Sequence, residues 1–270
     1  MERPAWAPRS IDISVPSVSR IYDYYLGGSH NFEVDREAAR KAMEFMPGLP
    51  KIMQANRAFM RRAVRHAAGE GIDQFLDIGS GIPTFGNVHE IAQAARPGAR
   101  VVYVDHDPVA VAHSQAVLQE NEDADVVAAD LLKPQEILVS HQVQRLIDLK
   151  RPVALLLVAI LHFVEDADDP YRAVAELRDA LAPGSMLVVT HASFEGIPLP
   201  REQAEGTVDV YKDIRNPLIM RTREEIARFF EGYDMVEPGL VPMPEWRPDT
   251  APEDEDPYSF SGFGGVGRKA

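Results

Sequence analysis

The sequence predicts an α/β fold in which a doubly wound, mainly parallel sheet follows a helical N-terminal extension. From residue 73 onward, short runs of β-branched and other apolar residues alternate with helix-length segments, which is typical of βα units. The run 153–159 is apolar at every position, as expected of a central strand buried on both faces. The chain has 270 residues, 45% of them hydrophobic, enough for one large core. We therefore expect a helical extension at residues 1–70 and a single α/β unit at 71–270.

The predicted elements alternate along the chain. Core strands are expected at 74–78, 100–104, 124–128, 153–159 and 185–191. Helices are expected between them at 84–95, 108–121, 134–149 and 169–181. The extension contributes helices at 33–45 and 52–69, and helices at 201–214 and 223–231 follow the fifth strand. Strands at 235–241 and 263–268 form a final hairpin, and residues 242–257, with five prolines, form a solvated loop.

Composition and charge exclude several classes of protein. The net charge of −14 argues against general nucleic-acid binding, because such a surface repels a phosphate backbone. The absence of cysteine excludes disulfides, thiolate metal sites and a cysteine nucleophile, so we expect no metal and a cytoplasmic location. Residues 1–10 are polar and the apolar run 153–161 is too short to cross a bilayer, so no membrane association is expected. The sequence leaves the oligomeric state open.

A glycine-rich turn gives the strongest local indication of a site. The strand at 74–78 ends in Gly79 and Gly81, whose backbone can approach a ligand closely, and a helix follows. A tight turn that binds nothing is the alternative. Thr84 replaces the third glycine of the dinucleotide fingerprint, and Asp77 would repel the pyrophosphate of NAD. Because the same carboxylate attracts an ammonium, the turn favours a ligand with an amino acid end.

Two further aspartates end the next strands. Asp105 stands 24 positions after Gly81, the spacing at which a carboxylate accepts hydrogen bonds from both ribose hydroxyls. Asp130 follows the third strand, where it could accept a hydrogen bond from an adenine amino group while Leu131 and Ile82 pack on the ring. Each aspartate alone is more typical of a turn or a helix cap. Because three successive strands deliver an aspartate to the ligand-binding edge of the sheet, the pattern favours a nucleoside.

The motif of three aspartates and two glycines resembles that of the Rossmann-like methyltransferases that use S-adenosylmethionine. The segments 18–28, 54–59, 86–90 and 155–163 resemble an actinobacterial S-adenosyl methyltransferase family of unassigned substrate, over nearly the whole chain. The resemblance implies S-adenosylmethionine as cofactor, a seven-stranded sheet whose last strand is antiparallel, and an extension that covers the cofactor. It also implies that the turn at Gly79, Ser80 and Gly81 meets the methionine end, Asp105 the ribose and Asp130 the adenine.

Further residues are candidates for cofactor binding. Arg20 and Arg57 could each bind the methionine carboxylate through two parallel hydrogen bonds. The segment 22–32 holds four aromatic residues and two adjacent glycines, and is either a flexible loop that closes over the cofactor or an arm packed on the body. His106 could cover the adenine. The predicted cofactor-binding set is completed by Tyr22, Asn31, Leu131 and Ala159.

These expectations lead to a methyltransferase that acts on a small-molecule O or N acceptor. His162, after the fourth strand, and His191, at the end of the fifth, are the candidate catalytic bases, with a purely structural role as the alternative. Residues 159–162 stand where amino-methylating nucleic-acid enzymes carry Asn-Pro-Pro-Tyr, which disfavours base modification. A protein that holds the cofactor without transferring methyl is the first alternative function, and an NAD-dependent oxidoreductase is less favoured.

Overall fold

The structure is a computed structural model that describes residues 12–84, 86–195, 201–212, 214, 217–250 and 262–270. Of residues 201–204 only the backbone is described. The last part of the predicted solvated loop, 251–257, lies outside these residues. Within the described ranges, no helix is both long enough and apolar enough to cross a membrane.

One sheet forms the centre of the described part of the chain. Its strands are β1 Gln74–Ile78, β2 Arg100–Asp105, β3 Ala124–Ala128, β4 Ala154–Val158, β5 Met186–His191, β6 Tyr233–Met235, β7 Val241–Pro242 and β8 Phe263–Lys269. The order is β3-β2-β1-β4-β5-β8-β6, and β7 pairs with β8 beside this path. Strands β1 to β5 are parallel, whereas β8 is antiparallel to both β5 and β6. The antiparallel last strand is confirmed, and the two-residue β7 is an addition to the seven strands that the resemblance implies.

The strand order places a ligand-binding edge between β1 and β4. The chain adds strands on one side of β1 and then continues on the other with β4, which makes this the point where the topology reverses. Open α/β sheets bind ligands outside the carboxyl ends of the strands at such a point. Gly79 follows β1 and Ile160 comes two residues after β4, and the two residues lie against each other. The glycine turn therefore stands at the position where this fold class binds ligands.

Helices cover both faces of the sheet. They are α1 Val18–Tyr25, α2 Glu33–Phe45, α3 Leu49–Gly69, α4 Val88–Ala95, α5 Pro108–Leu118, α6 Pro134–Leu138, α7 His141–Leu146, α8 Pro170–Ala180, α9 Arg201–Lys212 and α10 Arg223–Ala227. Side chains of each strand alternate between the two faces. Phe75 joins a core with Phe59 of α3 and the wholly buried Trp246, whereas Leu76 joins the opposite core with Ile137 of α6.

The extension packs on the sheet and is held by buried polar contacts. Arg20 of α1 lies 2.9 Å from Asp35 of α2 and 3.6 Å from Asp107, and all three side chains are buried. In α3, Arg62 donates hydrogen bonds to the backbone oxygens of Met243 and Trp246. These contacts hold α1 and α3 against the rest of the protein. They thereby fix the two helices whose side chains reach the carboxyl edge of the sheet.

The segment 22–32 packs on the body of the protein as an arm. Residues 22–25 belong to α1, whose buried Ile21 and Tyr25 stand four residues apart on one face. Beyond the helix, the carboxylate of Asp23 accepts hydrogen bonds from the backbone of His30 and from the side chain of Asn31. The prediction of a packed arm is confirmed.

Two other predicted elements differ from the structure because of local hydrogen-bonding groups. The single helix predicted at 134–149 is divided into α6 and α7, since the Ser140 hydroxyl accepts a hydrogen bond from Val143 and begins a new helix. The strand predicted at 235–241 ends at Met235, because Pro238 in the following turn has no backbone N–H to donate to a ladder. The predicted antiparallel partner of this strand, β8, is confirmed.

Candidate active site

Three chambers that share lining residues lie along the carboxyl edge of the sheet. The edge chamber, of about 830 Å³, is lined by His106, Asp130 and Leu131 among others. The middle chamber, of about 710 Å³, is lined by the glycine turn and by Tyr22 and Arg57. The apolar chamber, of about 700 Å³, is lined mainly by methionine, aliphatic and aromatic side chains.

The three chambers share walls. Gly79, Asp105 and Ile160 line both the edge and the middle chambers. Ala159 and Phe163 line both the middle and the apolar chambers. The predicted cofactor-binding residues that line the edge or the middle chamber are Tyr22, Arg57, Asp77, Gly79, Ser80, Gly81, Asp105, His106, Asp130, Leu131 and Ala159. The structure therefore brings eleven of the thirteen residues to these two adjoining chambers.

The glycine turn presents polar groups to the middle chamber. Gly79 and Gly81 adopt the left-handed conformation, with φ of 74° and 68°, which glycine tolerates without strain. The backbone amides of Gly79 and Ser80 donate to Val104, and the amide of Gly81 donates to Asp105 over 2.7 Å. The buried hydroxyl of Ser80 has no hydrogen-bond partner among the described residues. This hydroxyl, in the wall of the chamber, can therefore bond to a polar ligand.

Asp105 is buried and connects the glycine turn to β2. One carboxylate oxygen accepts the amide of Gly81 and the other accepts the amide of Asp107 over 2.8 Å. Burial raises the pKa of Asp105, and the two backbone hydrogen bonds oppose this effect. Because each carboxylate oxygen can accept a second hydrogen bond, Asp105 can still bind the hydroxyls of a ribose.

Asp77 has a strongly raised pKa. Burial raises its pKa from 3.8 to about 7, with a smaller contribution from the negative charge of Asp105, while Arg57 opposes the change. At neutral pH the carboxyl group is thus poised between its acid and carboxylate forms. A ligand ammonium bound beside it would favour the carboxylate.

We expect this titration to make the stability of the ligand-free protein depend on pH. Since the folded pKa is raised, the contribution of the neutral acid is fully present below about pH 4 and is lost as the pH rises through about 7. The free energy of unfolding should therefore fall by about 1–3 kcal/mol more in the wild type than in Asp77→Asn between about pH 5 and 8. Urea titrations at the two pH values measure this difference. Asp234→Asn, which changes an exposed aspartate of β6, is the control and should match the wild type; an equal loss in Asp77→Asn would contradict the expectation.

Two arginines were predicted to bind the methionine carboxylate, and only one of them lines a chamber. Arg57 lines the middle chamber and donates a hydrogen bond to the hydroxyl of Thr84, and its buried Nε has no partner among the described residues. Arg20 does not line the chambers, because its guanidinium is held by Asp35 and Asp107. Asn31 also lies outside the chamber walls, where it bonds to Asp23. Arg57 is therefore the better placed cation for an anionic ligand group.

The edge chamber has a mainly apolar wall that also carries His106 and three aspartates, Asp105, Asp130 and Asp168. Asp130 is exposed, and one of its carboxylate oxygens accepts the backbone amide of Leu132 over 2.9 Å. Leu131 beside it is buried. His106 is exposed and lines both this chamber and the middle chamber. A flat ring in this chamber would find an apolar side chain and an acceptor for an amino group.

Both candidate bases are buried beside the apolar chamber and use ring nitrogens for internal hydrogen bonds. The Nε2 atom of His191 accepts from Arg221 over 2.8 Å, so its Nδ1 carries the hydrogen that is donated to Ala192. The Nδ1 atom of His162 accepts the backbone amide of Ala192 over 3.3 Å. Burial lowers the pKa of His162 well below its usual value and that of His191 to about 4. These hydrogen bonds favour a positioning role over proton abstraction for both rings.

A hydrogen-bond relay that sequence reasoning missed lies where the middle and apolar chambers meet. The backbone amide of Ala159 donates to the hydroxyl of Thr190, which donates to the side chain of Asn56 over 2.7 Å. Asn56 donates to the hydroxyl of Tyr22, which donates to the backbone of Met53. The relay holds Ala159 in a left-handed conformation, with φ of 57°. Asn56 lies in one of the segments that carried the resemblance, whereas nothing local distinguished Thr190.

No group of three or more metal-ligating side chains occurs in the described residues. The donors that the chambers offer a ligand are hydroxyls and a guanidinium, and their acceptors are carboxylates. This set fits a ligand that carries an ammonium, a carboxylate, sugar hydroxyls and an adenine.

The chain is similar to proteins of one family over almost its full length. Residues 4–270 match the model of the S-adenosyl methyltransferase family. A candidate methyltransferase from Thermobifida fusca YX is 40% identical, with a TM-score of 0.91 over 98% of this chain and 99% of that chain. A DUF574 family protein from Streptomyces avermitilis MA-4680 is also 40% identical, with a TM-score of 0.90 over 96% of this chain and 99% of that chain. No curated protein matches the chain. The chain therefore belongs to the S-adenosyl methyltransferase family and is an S-adenosylmethionine-dependent methyltransferase.

Proposed function

We propose that this enzyme transfers the methyl group to an O or N atom of a small molecule held in the apolar chamber. The observation that carries this proposal is the shared wall of the middle and apolar chambers, since Ala159 and Phe163 line both. When bound, S-adenosylmethionine supplies an electrophilic methyl group on a sulfonium. The protein therefore needs mainly to align an acceptor with that group and to exclude water.

The residues of the edge and middle chambers divide the cofactor among them in this proposal. Asp77 and the Ser80 hydroxyl would bind the amino acid end of the cofactor, and Arg57 would bind the carboxylate of that end. Asp105 would accept hydrogen bonds from the ribose hydroxyls. The adenine would lie beside Leu131, with Asp130 as the acceptor for its amino group.

We propose residues 1–70 as a cover for the cofactor. Tyr22 of α1 and both Asn56 and Arg57 of α3 line the middle chamber together with the glycine turn of the sheet.

The charge, the absence of cysteine and the absence of an Asn-Pro-Pro-Tyr motif support a small-molecule acceptor and a cytoplasmic location. The sources of the two similar structures, Thermobifida fusca and Streptomyces avermitilis, support an actinobacterial source.

Calorimetry and a transfer assay test the proposed function together. S-adenosylmethionine should bind to the purified protein, and NAD should not. The protein is then incubated with methyl-labelled S-adenosylmethionine and a metabolite extract, with heat-denatured protein as the control. Label in a discrete small molecule supports the proposal. Binding without any transfer would instead indicate a protein that only holds the cofactor, and label in nucleic acid would exclude the proposed acceptor class.

With an acceptor from that extract, we expect turnover at saturating cofactor to show no histidine ionisation between about pH 6 and 9. Both candidate bases are neutral in this range, because burial lowers the pKa values of His162 and His191. The measurement is the initial rate of methyl transfer against pH for the wild type and for His162→Ala and His191→Ala. If the wild-type rate depends on an ionisation near pH 6.5 and this dependence is absent in one of the variants, the histidine replaced in that variant is a base.

A further inference from the structure

The apolar chamber differs in chemistry from the other two chambers. Its wall contains Leu49, Ile52, Phe163 and Leu218, and four of the nine methionines of the chain, Met46, Met53, Met220 and Met243. Among the described residues that line it, none is an aspartate, glutamate, lysine or arginine. This is informative in a chain of which 26% is charged. A charged molecule in this chamber would lose its hydration and find no counter-ion among these residues.

The polar atoms of the chamber wall are bonded to one another. The hydroxyls of Tyr25 and Tyr211, both buried, lie 3.3 Å apart and share a hydrogen bond. Burial raises the pKa of Tyr211 to about 12, so this hydroxyl remains neutral at physiological pH. Thr190 belongs to the relay that ends at Tyr22, and both ring nitrogens of His191 are engaged. Most of these polar atoms therefore already have a hydrogen-bond partner within the protein.

The methionines add tolerance of shape. Methionine is unbranched and polarisable, and it adapts to irregular apolar surfaces. The four methionines therefore let the chamber wall adapt to apolar occupants of different shape.

We propose that the methyl acceptor is an uncharged, largely hydrophobic molecule, bound in the apolar chamber with its nucleophilic atom toward Ala159. This inference rests on the proposed function, because it takes the middle chamber as the cofactor site. The two chambers meet at Ala159 and Phe163, which places the acceptor beside the cofactor.

Two fluorescent probes of the same shape test the charge preference. N-phenyl-1-naphthylamine is uncharged, and 8-anilino-1-naphthalenesulfonate carries the same rings with one sulfonate. Each probe is titrated into wild-type protein saturated with S-adenosylhomocysteine. We expect the uncharged probe to bind at one site at least about tenfold more tightly than the sulfonate. Equal affinities, or tighter binding of the sulfonate, would overturn the proposal.

Substitutions assign the binding to the chamber and separate it from the effect of net charge. Met220→Lys introduces a cation in the chamber wall. This change should weaken binding of the uncharged probe by about tenfold or more and should strengthen binding of the sulfonate probe. Met235→Lys makes the same change of charge at an exposed methionine of β6, and should leave both affinities unchanged. Unaltered probe binding in Met220→Lys would show that the probe lies elsewhere and would overturn the proposal. Thermal melts confirm that both variants are folded.

The same titrations distinguish failure of this inference from failure of the proposed function. If calorimetry shows no binding of S-adenosylhomocysteine, the assignment of the middle chamber fails, whatever the probes do. If S-adenosylhomocysteine binds and the probes show no preference, only the hydrophobic acceptor is excluded.

Discussion

Gly79→Ala is expected to weaken S-adenosylmethionine binding by about 100-fold, equivalent to about 3 kcal/mol. The residue has φ of 74°, where an alanine is strained, and its added Cβ would lie 2.6 Å from the side chain of Ile160. Ile160 lines both the edge and the middle chambers, so this side chain can relieve the clash only by moving within the space proposed for the cofactor. Calorimetry of the folded variant measures the loss.

Stability and binding have to be separated in this experiment. The left-handed conformation and the overpacking together should lower the free energy of unfolding of Gly79→Ala by about 2–5 kcal/mol. Gly98→Ala is the matched control, because Gly98 has φ of 81°, has open space around its Cβ position and lies before β2, at the other end of the sheet. It should lose only about 1–2 kcal/mol of stability and bind the cofactor as the wild type does.

Gly81→Ala provides the second comparison within the same turn. Gly81 has φ of 68°, but nothing lies within 4 Å of its Cβ position, so its replacement strains the backbone without displacing Ile160. We expect a smaller loss of affinity than in Gly79→Ala. If the two variants bind equally well, backbone strain alone explains the loss and the clash with Ile160 is irrelevant to the cofactor.

The elements predicted most accurately are those whose local pattern agrees with their tertiary setting. Strand β1 and helix α2 have the bounds that the sequence predicts, because β1 is a short buried run that ends at a glycine turn and α2 has an amphipathic pattern. The helix predicted at 134–149 failed at Ser140, where one side-chain hydrogen bond outweighs the helical pattern on either side. Because the residues on both sides of Ser140 favour a helix, the sequence did not show that Ser140 would begin a new one.

The residues of the candidate site also differ in how well the sequence could predict them. Asp77 and Asp105 could be placed together from the sequence, since the ends of parallel strands meet at one edge of the sheet. Arg20 could not be excluded, because its ion pairs with Asp35 and Asp107 depend on how the extension packs. The apolar chamber was also beyond sequence reasoning: its wall is assembled from residues as far apart as Met46 and Met243, and no local motif marks them.

Asp105→Ala is expected to weaken S-adenosylmethionine binding by about 1–3 kcal/mol, or about 5- to 150-fold. The carboxylate is the proposed partner of the ribose hydroxyls, and it also accepts the amides of Gly81 and Asp107. Its removal leaves those buried amides without an acceptor, so the glycine turn loses its support as well. Calorimetry measures the total loss, which contains both effects.

A pair of nucleosides separates the two roles of Asp105. Adenosine and 2′,3′-dideoxyadenosine differ only in the ribose hydroxyls, and both are titrated into the wild type and Asp105→Ala. If the carboxylate binds the ribose, the variant should lose affinity for adenosine and should discriminate little between the two nucleosides. Asp130→Ala, at an exposed aspartate of the same edge, is the control and should keep the wild-type discrimination. Equal weakening of both nucleosides in Asp105→Ala would mean that Asp105 acts only through the turn, because a contact with the hydroxyls cannot affect a ligand that lacks them.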